Sequence, residues 1–266
     1  MYETNYHRPT STADAVAARN SAEEATFLAG GQTLIPTMKQ RLAAPTDLVD
    51  LGHVSDLKGV CEDGDAIVIG AMTTHGEVHE NDLVGSHVPV LADLAGRIGD
   101  PHVRAMGTIG GSVANNDPSA DYPAALLALG ATIRTDRREI AADDFFEGMF
   151  TTALDEGEMI VSIVVPKTAI AGWSKFRNPA SRYAMAGVLV AKTNSGVRVA
   201  VTGAGSDGVF RHAAMEQALE GNFSAEAIAD VTTSADDLLS DIHGSADYRA
   251  NLVSVMAKRA VANAGA

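Results

Sequence analysis

The chain has 266 residues and a mass of 27.6 kDa, more than one ordinary domain of about 150 residues, so two or three lobes are expected. Its hydrophobic fraction of 46% is typical of a globular protein, and its formal net charge of −14 argues against nucleic acid as a partner, because phosphate backbones attract clustered lysine and arginine. The single cysteine, Cys61, excludes an internal disulfide and an iron–sulfur cluster held by this chain.

The sequence gives no sign of a membrane segment. No apolar run reaches the roughly 20 residues that a membrane-spanning helix needs. Residues 1–11 also lack the basic and apolar regions of a signal peptide. We therefore expect a cytoplasmic protein without integral membrane contact.

The first predicted lobe covers about residues 1–53 and alternates helix with strand. The periodicity predicts a helix over 10–20, a strand over 25–28, a helix over 34–42 and a strand over 47–51. Gly30 and Gly31 lie between the first strand and the second helix, as in a βαβ unit.

The second predicted lobe, about residues 54–167, is longer and mixed. The pattern predicts hairpin strands over 57–61 and 66–69, helices over 87–98 and 122–129, and strands over 103–109, 131–135 and 159–165. The strand over 103–109 is expected to run into Gly110 and Gly111, so that a second glycine pair follows an apolar strand.

A third unit begins near residue 168. It is predicted to contain strands over 185–193 and 197–203, joined by a hairpin, and then helices near 211–220, 224–238 and 245–263. Two strands followed by helices indicate an α+β module with a small sheet under helices.

The two glycine pairs are the first candidates for a binding site. They lie in residues 28–34 and 108–117, with hydroxyl and amide side chains beside them. Glycine tolerates positive φ, and successive backbone N–H groups in such turns can converge on an anion. Two turns of this kind suit a pyrophosphate held from both sides. Two tight turns that bind nothing are the alternative, and the residues alone leave both interpretations open.

Other motifs are weaker. Residues 203–208 match G-x-G-x-x-G, but the preceding strand pairs with its neighbour by a hairpin, whereas a dinucleotide site needs parallel strands. His75 and His79 have helical spacing, but Gly76 stands where a zinc-binding H-E-x-x-H motif needs glutamate. We therefore expect neither a nucleotide site at 203–208 nor a metal site.

Four motifs in order resemble the signatures of the FAD-binding subunits of molybdenum hydroxylases, the family of carbon monoxide dehydrogenase medium chains and of the FAD domain of xanthine dehydrogenase. The motifs are residues 29–36 (AGGQTLIP), 108–123 (TIGGSVANNDPSADYP), 160–163 (IVSI) and 175–184 (KFRNPASRYA). The resemblance covers the whole chain. It implies an α+β fold: a two-lobed FAD-binding domain of the vanillyl-alcohol oxidase type (PCMH-like) over 1–167, then a small α+β C-terminal domain over 168–266.

The resemblance also implies which residues contact FAD, with residues 28–35 and 108–112 holding the pyrophosphate and ribityl chain. The implied contacts are Leu28, Ala29, Gly30, Gly31, Gln32, Thr33, Leu34, Ile35, Ile98, Thr108, Ile109, Gly110, Gly111, Ser112, Asn115, Asp121, Ile160, Arg177, Arg182 and Tyr183. Arg177 matches a basic position of the xanthine dehydrogenase group, whereas Arg182 and Tyr183 resemble the carbon monoxide dehydrogenase group. Gln32 and Thr33 depart from the His-Ser pair of many relatives but keep a hydrogen-bonding side chain and a hydroxyl.

The function implied by the resemblance is that of an electron-transfer flavoprotein subunit. In this family substrate is oxidised at a molybdenum cofactor in a large subunit, and electrons pass through two [2Fe–2S] clusters of a small subunit to FAD and then to an external acceptor. A dimer of heterotrimers is expected, with no catalytic acid or base in this chain. The alternative is a self-standing FAD-dependent reductase or oxidase of the same fold.

Overall fold

A computed structural model describes residues 1–264. The first lobe contains strands β1 (Asn5–His7), β2 (Ala25–Leu28) and β3 (Asp47–Asp50) and helices α1 (Thr12–Asn20) and α2 (Leu34–Lys39). The strands form a parallel sheet in the order β1-β3-β2, which two helical crossovers make possible. The central strand buries Leu48 and Val49, and the sheet therefore has its core at β3.

The second lobe is built on an antiparallel sheet in the order β4-β5-β10-β6-β7. Its strands are β4 (Val60–Asp63), β5 (Ala66–Gly70), β6 (Thr132–Thr135), β7 (Glu139–Ala141) and β10 (Ile160–Pro166), with a separate hairpin of β8 (Phe146–Gly148) and β9 (Thr151–Thr152). Its helices are α3 (His75–Glu80), α4 (Asp82–His87), α5 (Pro89–Gly96), α6 (Pro101–Met106), α7 (Ile109–Asn115), α8 (Asp121–Leu129) and α9 (Ala142–Phe145).

The C-terminal unit is a four-stranded antiparallel sheet with helices on one face. It consists of β11 (Ala171–Arg177), β12 (Ala184–Thr193), β13 (Gly196–Thr202), β14 (Phe210–Arg211), α10 (Ala213–Gly221) and α11 (Ala246–Asn263), with the strands in chain order. Alternate residues face opposite sides, since Trp173 and Leu189 pack into the core of the second lobe whereas Val188 and Val190 pack under α11. The sheet is therefore buried on both faces.

Three elements differ from the sequence prediction. The expected strand over 103–109 is helical, because Asp100 accepts hydrogen bonds from the His102 and Val103 amides and Pro101 is the first helical residue. The expected helix over 87–98 is present but shorter, Pro89–Gly96, because Val88 precedes Pro89 and lies outside the helical conformation. Residues 224–238 form turns instead of a helix.

The G-x-G-x-x-G segment over 203–208 joins β13 to β14. β13 is antiparallel to β12, as the sequence predicts, and also to β14, and Gly203 and Gly208 take positive φ values of 79° and 105°. The segment is therefore a hairpin turn, and the next helix begins only at Ala213.

Within residues 1–264, no helix combines the length and the apolar character needed to cross a bilayer.

The contact between β11 and α11 predicts a specific stability effect. A Cβ atom at Gly172 would lie 2.0 Å from the Ala260 carbonyl oxygen, whereas a Cβ at Gly221 would meet nothing within 4 Å. We expect Gly172→Ala to lower the free energy of unfolding by about 1–3 kcal/mol through overpacking. Gly221→Ala, the matched control, is expected to be neutral or slightly stabilising. Urea denaturation measures both, and equal stability of the two variants would contradict the close packing of α11 on β11.

Candidate functional site

A cleft of about 630 Å³ lies where the three units meet. The first lobe contributes the segment after β2, and the second lobe contributes α7, the residues before it and the start of α8. The C-terminal unit contributes Lys175 from β11 and the loop that carries Ser181, Arg182 and Tyr183. The cleft is therefore formed only when all three units are in place.

The two glycine-rich segments face each other across very short distances. A Cβ atom at Gly30 would lie 2.2 Å from the Met106 carbonyl oxygen, and a Cβ at Gly111 would lie 3.2 Å from the Ala29 Cβ. Real Cβ atoms do not approach backbone as closely as 2.2 Å, so glycine at position 30 is required for the contact between the lobes. The close approach places both segments on one wall of the cleft.

The first segment offers unused backbone donors. The amides of residues 30–33 donate to no other backbone group among the described residues. Gly31 has a φ of 69°, which glycine adopts without strain, and the Gln32 side chain donates to the Gly30 carbonyl at 3.2 Å. Consecutive N–H groups in such a turn form a concave site for an anion.

In the second glycine-rich segment the backbone amides are hydrogen-bonded within the protein, which differs from the prediction. Gly110 and Gly111 lie inside α7, where the Gly110 amide donates to the Ala71 carbonyl at 2.8 Å and the Gly111 amide donates to Thr108 Oγ1 at 3.1 Å. The expectation that these amides converge on an anion is therefore wrong, and neither glycine takes a positive φ. Glycine is needed there because a Cβ would lie 2.6 Å from the Ala71 Cβ.

A buried ion pair connects two of the units at the cleft. Lys175 Nζ lies 2.5 Å from Asp121 Oδ2, and the two side chains are only 3% and 4% exposed. Burial raises the pKa of the Asp121 carboxyl, and the positive charges of Lys175 and Arg177 oppose that rise. Within residues 1–264, Asp121 Oδ1 has no hydrogen-bond partner. The sequence prediction included Asp121 but missed Lys175.

Two further buried polar side chains are those of His75 and of Tyr122, the residue that follows Asp121. His75, the first residue of α3, lines the cleft and packs against Tyr122 with 5.4 Å between ring centroids. Burial, assisted by the charge of Arg104, lowers the pKa of His75 to about 4. His75 is thus neutral at neutral pH, and it is an uncharged part of the cleft wall.

The loop before β12 closes the edge of the cleft. Asn178 Oδ1 accepts hydrogen bonds from the amides of Ala180 and Ser181, and the Arg182 guanidinium donates to the Gly99 carbonyl at 3.3 Å. Tyr183 is 49% exposed, and burial, together with the nearby Asp117 and Asp121 charges, raises its pKa. The loop thus places an aromatic ring and a cation at the cleft edge.

Most of the predicted site residues come together in the cleft. Those that line it are Ala29, Gly30, Gly31, Gln32, Thr33, Leu34, Ile98, Thr108, Gly110, Gly111, Ser112, Asn115, Asp121, Ile160, Arg182 and Tyr183.

The structure places four predicted residues elsewhere. Leu28 and Ile35 lie next to Gly31, as the neighbours that a Cβ at Gly31 would meet. Ile109 is fully buried in the core of the second lobe, and Arg177 is exposed at the end of β11. These side chains are outside the cleft lining.

Sequence reasoning also missed lining residues besides Lys175. They include Thr26, Phe27, Ala71, Met72, His75 and Asp117. One sequence signal could have identified Lys175. It alternates with Trp173 and Arg177, so in a strand the three side chains share one face, and a lysine on the face that carries a tryptophan is a candidate for a buried charge. No local pattern distinguishes the others from ordinary core or turn residues.

Comparison with known families agrees with this architecture. The family described as the FAD binding domain in molybdopterin dehydrogenase matches residues 2–168, and the CO dehydrogenase flavoprotein C-terminal domain matches residues 174–264. The predicted fold class, an FAD-binding domain followed by a small α+β domain, is thereby confirmed.

Individual relatives match along nearly their full length. The chain is 36% identical to the carbon monoxide dehydrogenase medium chain of Hydrogenophaga pseudoflava, with 96% of this chain and 95% of the relative covered. It is 35% identical to the nicotine 6-hydroxylase medium subunit of Paenarthrobacter nicotinovorans, with 98% and 97% covered.

A solved structure gives the same result. Carbon monoxide dehydrogenase from Hydrogenophaga pseudoflava, in a form that lacks the Mo-pyranopterin moiety of the molybdenum cofactor, matches with a TM-score of 0.89 and 35% identity, covering 99% of this chain and 98% of that one. The chain therefore belongs to the family of FAD-binding medium subunits of molybdenum hydroxylases, which are subunits of oxidoreductases.

Proposed function

We propose that the cleft holds one FAD non-covalently and that this chain is the electron-transfer subunit of a three-subunit molybdenum hydroxylase. Electrons would arrive from the [2Fe–2S] clusters of a small partner subunit and leave to an external acceptor. The observation that carries the proposal is the row of unused amides over residues 30–33 in a cleft whose glycines let two backbones meet.

The chemistry of the cleft fits FAD at three places. The amides of residues 30–33 provide donors for the diphosphate. Ser112 and Asn115, on the cleft side of α7, provide polar groups for the ribityl chain. Ile98 and Ile160 give apolar contact, and the unpartnered Oδ1 of Asp121 gives a buried acceptor. FAD, when bound, supplies reversible one- and two-electron redox chemistry.

In this proposal the residues of this chain bind FAD, orient its ring and shield it from solvent. In this proposal Tyr183 covers part of the redox-active ring and Arg182 provides a positive charge near it, which favours an anionic reduced state by Coulomb attraction. The neutral His75 leaves the wall behind α3 without charge. None of these roles requires an acid or base for substrate turnover, which in the proposal takes place in a partner.

The partners follow from the family and from this chain's composition. Relatives carry the names medium chain or medium subunit, so we infer a small [2Fe–2S] subunit and a large molybdenum subunit, assembled as a dimer of heterotrimers. The one cysteine, Cys61, is too few for an iron–sulfur cluster. We also propose a domain boundary at 167/168, in the short connection between β10 and β11. The cytoplasmic location expected from the sequence stays a prediction.

The glycine turn gives the first test of FAD binding. We expect Gly31→Val to lower FAD affinity at least tenfold, because a β-branched residue is strained at a φ of 69° and the amide donors would turn away. Gly85→Val is the matched control, since Gly85 is exposed on α4 and a Cβ there meets nothing within 4 Å. Fluorescence titration of FAD measures both, and equal affinities would contradict the assignment of the turn.

The expected need for partner subunits in substrate oxidation gives a second test. The full chain, purified alone with FAD, is expected to show no oxidation of carbon monoxide or of an aromatic heterocycle above the rate without protein. Substrate-dependent flavin reduction should appear only when subunits carrying [2Fe–2S] clusters and a molybdenum cofactor are added. Rapid substrate oxidation by the single chain would instead identify a self-standing flavoenzyme of the same fold.

The loop before β12 gives a third test. Arg182→Ala is expected to leave FAD bound and to lower its midpoint potential by at most about 30 mV, a tenfold change in relative affinity for a two-electron couple, because Arg182 is exposed and screened. Tyr183→Ala should speed reoxidation of the reduced flavin by oxygen. Stopped-flow reoxidation and redox titration measure the two effects, and parental values in both variants would place this loop away from the ring.

A further inference from the structure

The Asp121–Lys175 pair carries an inference that rests on the proposed function and extends it. The pair joins α8 of the second lobe to β11 of the C-terminal unit, with both side chains at least 96% buried. Removing two charges from water is costly, and their mutual attraction offsets that cost only when further hydrogen bonds satisfy the remaining donors and lone pairs. The protein supplies only part of those bonds.

Each member of the pair has hydrogen-bonding capacity left over. An ammonium has three donors, and within residues 1–264 the Lys175 Nζ makes one hydrogen bond, to Asp121 Oδ2. Asp121 Oδ1 is buried and accepts no hydrogen bond from any residue that the structure describes. Because both residues line the cleft, a donor and an acceptor lie side by side at its wall. Buried polar groups are almost always hydrogen-bonded, so this arrangement indicates a ligand with the opposite pattern.

The complementary pattern is a carbonyl oxygen next to an N–H group. The imide edge of an isoalloxazine ring has this pattern, with one N–H between two carbonyls. The adenine end of FAD also presents an acceptor beside a donor, so the position in the cleft has to decide. Tyr183 directly precedes Ala184, which pairs with Arg177 two residues beyond Lys175 on β11, so Tyr183 and the ion pair lie at the same end of the cleft. An aromatic face gains more contact area from the three-ring isoalloxazine than from the two-ring adenine.

We propose that Lys175 donates a hydrogen bond to a carbonyl oxygen of the isoalloxazine imide while Asp121 Oδ1 accepts the imide N–H, so that the pair orients the ring and sets its redox potential. Lys175 thereby contacts the isoalloxazine end of FAD. It lies on β11 of the C-terminal unit, whose sheet packs against the second lobe on one face and against α11 on the other.

The two charges act on the potential in opposite directions. Reduction of the ring by two electrons and one proton, with electrons from a one-electron donor such as an iron–sulfur cluster or dithionite, produces a monoanion. The Lys175 ammonium stabilises that anion, whereas the Asp121 carboxylate destabilises it. Loss of the Lys175 ammonium should therefore lower the midpoint potential of FAD, and loss of the Asp121 carboxylate should raise it. A purely structural role for the pair does not give opposite signs.

The first experiment separates the two ends of FAD. Apo full-length chain is titrated with FMN, which lacks adenine, and with ADP, which lacks the flavin. Lys175→Met is expected to lower FMN affinity about tenfold or more, the loss of one charge-assisted hydrogen bond, and to leave ADP affinity unchanged. Lys192→Met, on an exposed position of β12, is the control and should change neither. Loss of ADP affinity alone would assign the pair to adenine and overturn the proposal.

The second experiment measures the potential of bound FAD by titration with dithionite and a reference dye. Lys175→Met is expected to lower it by about 30 mV, equivalent to a tenfold change in the ratio of affinities for reduced and oxidised FAD, and Asp121→Asn to raise it. Shifts of the same sign, or none, would overturn the proposal. If Lys175→Met does not fold, the direction of the Asp121→Asn shift decides.

Failure of this inference is distinguishable from failure of the proposed function. If the parent chain binds no FAD, FMN or ADP, the proposed function is wrong and the inference falls with it. If the parent binds FAD, and Lys175→Met retains parental FMN affinity and midpoint potential, the inference alone is wrong.

Discussion

The close approach of two glycine-rich backbones is the constraint on which the cleft depends. Gly30 meets the backbone of Met106 and Gly107, and Gly111 meets Ala29, at distances that leave little or no room for a further side-chain carbon. This contact brings the turn after β2 beside α7. Among the described residues the amides of residues 30–33 donate to no other backbone group, whereas the Gly110 amide across the contact donates to the Ala71 carbonyl. The glycines thus shape the cleft before any ligand is considered.

The C-terminal unit completes the cleft because its sheet has no free face. Trp173 and Leu189 pack into the second lobe while Val188 and Val190 pack under α11, so β11 and β12 are fixed from both sides. Lys175, on the same face of β11 as Trp173, is thereby carried to Asp121. The loop before β12 follows, with Arg182 bonded to the Gly99 carbonyl across the cleft edge. A rigid frame of this kind suits a subunit whose task is to hold and tune a cofactor.

Much of this arrangement is predictable from the sequence where local chemistry is decisive. The strand Ala25–Leu28 and the turn at Gly31 follow from an apolar run that ends in glycine. Over 103–109 the sequence predicts a strand because apolar residues alone do not distinguish a short strand from a helix, whereas the helix is set by Asp100 and Pro101, which precede the apolar run. Tertiary contacts such as Asp121–Lys175 could not be predicted, since the partners are 54 positions apart and only the folded sheet brings them together.

We propose that FAD lies in this cleft with its diphosphate at the first glycine turn. A crystal structure of the full chain reconstituted with FAD tests it most directly. The diphosphate oxygens are expected within hydrogen-bond distance of the amides of residues 30–33, and the isoalloxazine beside Asp121, Lys175 and Tyr183. FAD bound at the 203–208 hairpin, or in the cleft with its diphosphate away from the first glycine turn, would contradict it.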